Sequence, residues 1–246
     1  MDNKGICIVG SGRSGTSFLM NQLHQNGCFI GECVGGNLEN VEVRRINESY
    51  LETHHQGKTR SKLPYGILPE EEIQIDSGYK EHAIRCLGAL SQGSSGKSTW
   101  WNDTPVHWAF KDPRTTLLHD MWIDHSDIII GMFRNPLEVV NSYMKLLGGY
   151  YPDEEFQQGA SNMLDYWMRF NQSLIHIFNT YDKPKYMLDF NGDMSVQLKT
   201  LFAELGIELQ VNTYDKSRVN QSSDEIYDDH RVVSVYDQLR SLKNLT

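Results

Sequence analysis

Two short segments carry residue types that can hold an anion. The first is Gly10-Ser11-Gly12-Arg13-Ser14-Gly15-Thr16-Ser17, directly after an apolar run. Small residues let a backbone wrap closely round an anion, and the first N–H groups of a following helix point at it. Arg13 adds a fixed charge, and the Thr16 and Ser17 hydroxyls can donate to phosphate oxygens. Gly10 and Gly15 stand at the spacing of a nucleotide-triphosphatase loop, but the next residue is Thr16 where such a loop needs Lys. The second segment is Arg134-Asn135-Pro136, which closes another apolar run, with Ser142 eight residues beyond Arg134. Asn135 suits an N-cap and Pro136 a first helical position. Helical Cβ bonds tilt toward the N-terminus, so Ser142 leans back toward the strand end and can share one anion with Arg134. The Gly-Lys-Ser triplet at Gly96-Lys97-Ser98 lacks a preceding buried strand and has Ser91 where the loop spacing needs Gly, so it reads as a flexible loop.

Elements must bring these segments together. Residues 5–10 and 127–133 read as buried parallel strands, with further strands over 106–111 and 185–190. Helices are expected over 14–26, 38–54, 79–90, 115–125, 136–147, 154–181 and 196–205, with a last one near 232–242. Residues 58–77 read as an irregular insert. The alternation predicts an α/β fold of three layers, a mostly parallel sheet of about four to five strands flanked by helices. Ligands on such sheets bind beyond the carboxyl ends of the strands, so functional residues belong just after Val9, Phe110 and Phe133.

The chain has 246 residues, 39% hydrophobic and 11% aromatic, enough apolar material for a core and too much for global disorder. No repeat or linker divides it, so one domain over 1–246 is expected, with an acceptor-side insert at about 31–104. Its 23 basic against 32 acidic residues give a net charge of −9. That argues against a nucleic-acid or anionic-membrane partner, which wants a broad cationic face. No secretory leader or membrane-spanning run is visible, and a soluble cytoplasmic protein is expected. The four cysteines show neither paired nor zinc spacing, so buried or incidental thiols are expected and no metal.

The two anion segments, in this order and spacing, resemble the cofactor signatures of PAPS-dependent sulfotransferases. Gly12, Arg13, Ser14, Gly15, Thr16 and Ser17 look like that family's 5′-phosphosulfate loop, in the form found in bacterial members. Arg134 followed by Ser142 looks like its 3′-phosphate motif. Lys111-Asp112-Pro113-Arg114 is similar to a strand end of bacterial members, and residues 188–206 to a late strand–helix. The resemblance reaches from residue 5 to about 218, and only the two anion motifs in it are specific. It implies a P-loop-type fold, PAPS as donor and PAP as product. The acceptor is then an unidentified small molecule or glycan. Arg13 would hold the phosphosulfate, Arg134 and Ser142 the 3′-phosphate, and Lys111 would neutralise charge during transfer. A structural salt bridge is the rival role for Lys111. Glu39 is the first choice for the base, with Glu32, Glu42, His107 and Asp112 open.

Trp100, Trp101 and Trp108 are either an acceptor wall or core packing. Arg218, with Lys216 and Ser217, would return to the 3′-phosphate. The chain departs from the family where a late Arg-Lys-Gly loop is missing, and where an aromatic–Glu–Asp signature is replaced by Phe190-Asn191-Gly192-Asp193. A P-loop phosphotransferase would need Lys at position 16 and an acidic residue at 134. A non-catalytic nucleotide-binding protein of the same fold is the other alternative.

Overall fold

The computed structural model describes residues 3–54, 73–95, 98–99, 107–146, 153–210 and 229–243. Four parallel strands form the main sheet: β1 (Lys4–Val9), β6 (His107–Lys111), β7 (Ile128–Phe133) and β8 (Lys185–Asp189), in the order β6-β1-β7-β8. All are short and mostly buried on both faces, which is why they read as continuous apolar runs.

Successive side chains point to opposite faces, and the core divides accordingly. Ile6, Ile8, Ala109, Ile130, Met132 and Leu188 pack on one side with α1 (Thr16–Gln25) and α7 (Met194–Leu205). Cys7, Val9, Trp108, Phe110, Ile129, Phe133 and Met187 face the other. There they meet α2 (Val41–His54), α3 (Ser77–Ser91), α4 (His119–Trp122), α5 (Pro136–Leu146), α6 (Asp153–Thr180) and α8 (His230–Lys243). The result is the expected three-layer α/β architecture.

Local departures have local causes. Residues 115–125 are not one helix. Asp112 accepts from the Arg114 amide at 2.9 Å and starts a 3₁₀ turn over Pro113–Thr116. Leu118 then leaves helical geometry, and the chain restarts as α4 and a second 3₁₀ turn, Ile123–His125. Helix α2 begins at Val41, because Asn40 caps it through Val43 N–H at 3.1 Å. Glu39 instead lies in β3 (Glu39–Asn40), paired antiparallel with β2 (Cys33–Val34). A two-residue ladder joins β4 (Ser94–Ser95) and β5 (Ser98–Thr99), which puts Ser98 of the Gly-Lys-Ser decoy in a strand. Helix α5 has the cap expected of it, Asn135 Oδ1 accepting from Leu137 N–H at 2.9 Å with Pro136 at its start. Among the described residues no helix is long and apolar enough to cross a membrane.

Candidate functional site: an anion cleft at the carboxyl edge of the sheet

Parallel strands place their carboxyl ends on one edge, so the segments after Val9, Lys111, Phe133 and Asp189 converge. They line a cleft of about 210 Å³ that includes Gly12, Arg13, Thr16, Lys111, Arg134 and Ser142.

The loop after β1 is held open by its surroundings. Gly12 N–H donates to the Tyr166 hydroxyl at 3.0 Å, and Tyr143 donates to the same oxygen at 2.9 Å. A Cβ on Gly12 would sit 2.1 Å from the Tyr143 oxygen, so no side chain fits there. Gly15 has φ of 98°, a left-handed conformation that favours glycine, and its face is closed by the Phe190 ring. Gly10 is braced on Thr116 Oγ1, which accepts from its N–H at 2.8 Å. Arg13 is also left-handed, at φ 67°, which turns its side chain out of the loop toward α5. Gly15 offers α1 no side-chain cap and the first turn holds no acid, so the helix start keeps its attraction for an anion. The Ser14 hydroxyl turns inward to the Ser11 carbonyl at 2.6 Å and does not face the cleft.

On the β7 side, Arg134 is almost wholly buried. Its Nε donates to Glu138 Oε2 at 2.7 Å, its face lies 5.1 Å from the Phe190 ring centre, and Nη1 reaches the Arg13 carbonyl at 3.3 Å. Ser142 does not bond Arg134. Its Oγ accepts instead from Arg13 Nε at 2.8 Å. The two arginines and the serine therefore form one site joining the loop to α5.

On the β6 side, Lys111 is buried and donates to the Asn37 carbonyl at 2.5 Å and to Ser17 Oγ at 3.3 Å. Ser17 Oγ donates to the same carbonyl at 2.7 Å. Burial pulls the Lys111 ammonium below its ordinary pKa, opposed by the nearby Glu39 and Asp112 carboxylates. Glu39 is buried in the cleft wall, with Arg44 Nη1 at 3.5 Å.

The other base candidates sit elsewhere. Asp112 is fully buried and held by Arg114 at 2.7 Å and by Asn47 at 3.2 Å, in a network that runs on to Glu48 and Trp122. Burial raises its pKa. Glu42 pairs with Arg45 at 2.9 Å on the helix surface. Glu32 is exposed, on the approach to β2. His107 opens β6, opposite Lys4, at the far edge of the sheet. Trp108 is core, stacked on Phe110 with ring centres 6.0 Å apart. Trp100, Trp101 and residues 216–218 lie outside the described residues.

Sequence reading did not assign Glu138, Tyr143, Tyr166, Phe190 or Asn37 to the site. Glu138 carried a signal, four residues beyond Arg134 on one helical face. Tyr143 belongs to the apolar stripe of α5, and nothing in the α6 pattern singles out Tyr166. The four cysteines are free. Burial pushes Cys33 up to about 11 and Cys86 to about 12, so neither is a thiolate nucleophile near neutral pH. Among the described residues no group of His, Cys, Asp and Glu is arranged to hold a metal ion.

No family model matches the chain, and no curated protein is similar to it in sequence. Solved structures similar to it include the sulfotransferase domain from the Synechococcus PCC 7002 olefin synthase, at 14% identity and a TM-score of 0.49 over 99% of this chain and 94% of that one. Another is the sulfotransferase domain from the curacin biosynthetic pathway, at 13% identity and 0.45, over 95% and 83%. At such identity these are likenesses of chain path only.

Proposed function

We propose that this chain is a PAPS-dependent sulfotransferase, a single domain whose acceptor-side insert spans about 31–104. The observation that carries the reading is the joining of Arg13, Arg134 and Ser142 in one cleft, beside a helix start without a side-chain cap. Two arginines and no lysine at position 16 suit an adenosine carrying phosphates at both ends better than a nucleoside triphosphate.

When bound, PAPS supplies the sulfuryl group that goes to an acceptor hydroxyl or amine, leaving PAP. The residues present fit it. Gly15, Thr16 and the start of α1 would hold the 5′-phosphosulfate, with Ser14 shaping the loop from within, and Gly12 and Ser17 would join them on exchanging their Tyr166 and Asn37 partners for it. Arg134 and Ser142 hold the 3′-phosphate. Arg13 spans the two, since its backbone belongs to the loop and its side chain meets Ser142. Arg218 is a further 3′-phosphate contact of this proposal.

Lys111 stands beside the loop, where negative charge grows on the leaving oxygen, and a buried ammonium is worth most there. Glu39 takes the acceptor proton. It shares the cleft wall with Lys111, whereas Asp112 is tied to Arg114 and His107 is at the opposite edge. The chemistry asks for positioning and charge, with no metal in a named role. The acceptor is a small molecule or glycan and the setting the cytoplasm; a polyanionic acceptor is disfavoured by the net charge of −9.

The test is transfer from radiolabelled PAPS across a panel of sugars, phenols and lipid-linked glycans. The expected result is labelled product from at least one class, lost in Glu39→Gln with PAP binding kept. A wild-type protein that binds PAP and labels none of them contradicts the enzymatic reading.

A further inference from the structure

The proposed 3′-phosphate arginine has a buried carboxylate against it. Glu138 Oε2 accepts from Arg134 Nε at 2.7 Å, and both side chains are under one-tenth exposed. A buried guanidinium needs a counter-charge, and an acid four residues on along α5 supplies one without any long-range contact. The pairing is one-sided. Glu138 Oε1 is buried with no hydrogen-bond partner among the described residues. A neutral amide in its place would still offer Nε an acceptor but would supply no counter-charge, so the two contributions of Glu138 can be separated.

The contact fixes which edge of Arg134 is free. Nε faces α5, Phe190 covers the guanidinium face at 5.1 Å, and Nη1 points to the Arg13 carbonyl at 3.3 Å. Arg134 is among the residues that line the cleft. The same contact sets the charge of the site, because Arg134 with Glu138 sums to zero. Of the other charges lining the cleft, Lys111 has the Glu39 carboxylate near it, whereas the partner of Arg13 there, Ser142, is neutral.

We propose that Glu138 is the positioning residue of the anion site: it aims the Arg134 fork at the cleft and caps the site's net charge, so that PAP is held selectively but not too tightly to leave. This rests on the cofactor reading above.

Calorimetry on the full chain with PAP and with ADP, for wild type, Glu138→Gln and Glu138→Ala, separates the two ideas. Glu138→Gln keeps the Nε contact and removes the charge. It is expected to keep the preference for PAP over ADP and to bind PAP roughly tenfold more tightly. Glu138→Ala frees the fork and is expected to lose most of the preference, by roughly tenfold or more, at a melting temperature that shows it folded. Wild type that fails to prefer PAP sinks the cofactor reading and this proposal with it. Wild type that prefers PAP sinks this proposal alone if Glu138→Gln binds PAP no more tightly, or if folded Glu138→Ala keeps the preference. Where Glu138→Ala does not fold, the Glu138→Gln result decides.

Discussion

At the amino-terminal edge of the sheet, Lys183 gives its ammonium to the carbonyls of Ile123, Asp124 and Ser126 at 2.8, 2.9 and 2.5 Å. Lys185 caps the end of α6 through Phe178 and Tyr181 carbonyls at 2.7 and 2.8 Å. At the carboxyl edge, Lys111 holds one carbonyl and one hydroxyl, and Arg134 one carboxylate oxygen and one long carbonyl contact. Both edges use cations to satisfy oxygen atoms left over where strands and helices end. The difference lies in where each cation stands. Lys183 gives three ammonium contacts and Lys185 two to backbone carbonyls where helices and turns end, while Lys111 and Arg134 line a cleft. Placement in the cleft, rather than the number of partners, marks a candidate ligand-binding cation.

The largest effect is expected at the loop. Gly12→Ala puts a methyl 2.1 Å from the Tyr143 oxygen, so the loop must move. PAP affinity is expected to fall by roughly a hundredfold or more with the fold intact, since a small misplacement of donors costs about that much. Gly36→Ala, where nothing lies within 4 Å, is expected to leave binding unchanged. Equal losses in both would mean that crowding at Gly12 is irrelevant.

Next comes a crossed pair. If Lys111 acts as proposed, Lys111→Met is expected to slow transfer by roughly a hundredfold with little loss in melting temperature, because the charge it removes is buried and the Asn37 carbonyl keeps the Ser17 hydroxyl as a donor. Lys183→Met is expected to cost about 1–3 kcal/mol of stability by stranding its carbonyls, and to leave PAP binding alone. Thermal melts beside transfer assays check both. The contrast between the edges collapses if Lys183→Met impairs binding or Lys111→Met destabilises while transfer continues.

The smallest effect concerns pH. Burial, with Lys4 nearby, lowers the His107 pKa below 6.5. The unfolded chain then takes up this proton first as pH falls, so stability is full above about 6.5 and declines below it. His119, also lowered by burial, works in the same sense, so the readout is a difference between proteins. Melting temperatures from pH 7.5 to 5 are expected to fall less in His107→Gln than in wild type. Parallel curves would mean that His107 does not contribute.

The layers of the fold were legible because period and composition state them. Continuous apolar strands separated by helical stretches leave few arrangements, and Asn135-Pro136 announced the start of α5. Residues 115–125 were misread because the Asp112 cap acts at once and starts a 3₁₀ turn before the apolar pattern can run as a helix. The site was half legible. Arg13, Lys111, Arg134, Ser142 and Glu39 carry their chemistry in their residue types; the parallel topology gathers the first four, and the short β2–β3 ladder brings Glu39 beside them. Which partner each one takes was not legible. That Ser142 meets Arg13 depends on a left-handed Arg13, which no side-chain pattern encodes. Tyr166 reaches Gly12 from 154 residues away, a contact that only packing creates.

In the proposed function Arg134 makes this cleft read a 3′-phosphate. Its most direct test is the ratio of PAP to ADP affinity, measured by calorimetry in wild type and in Arg134→Ala. The expected result is a wild-type preference for PAP of at least roughly a hundredfold, reduced close to parity by the substitution while ADP affinity barely changes. Equal binding of PAP and ADP by the wild type, or a preference that survives Arg134→Ala, would contradict it.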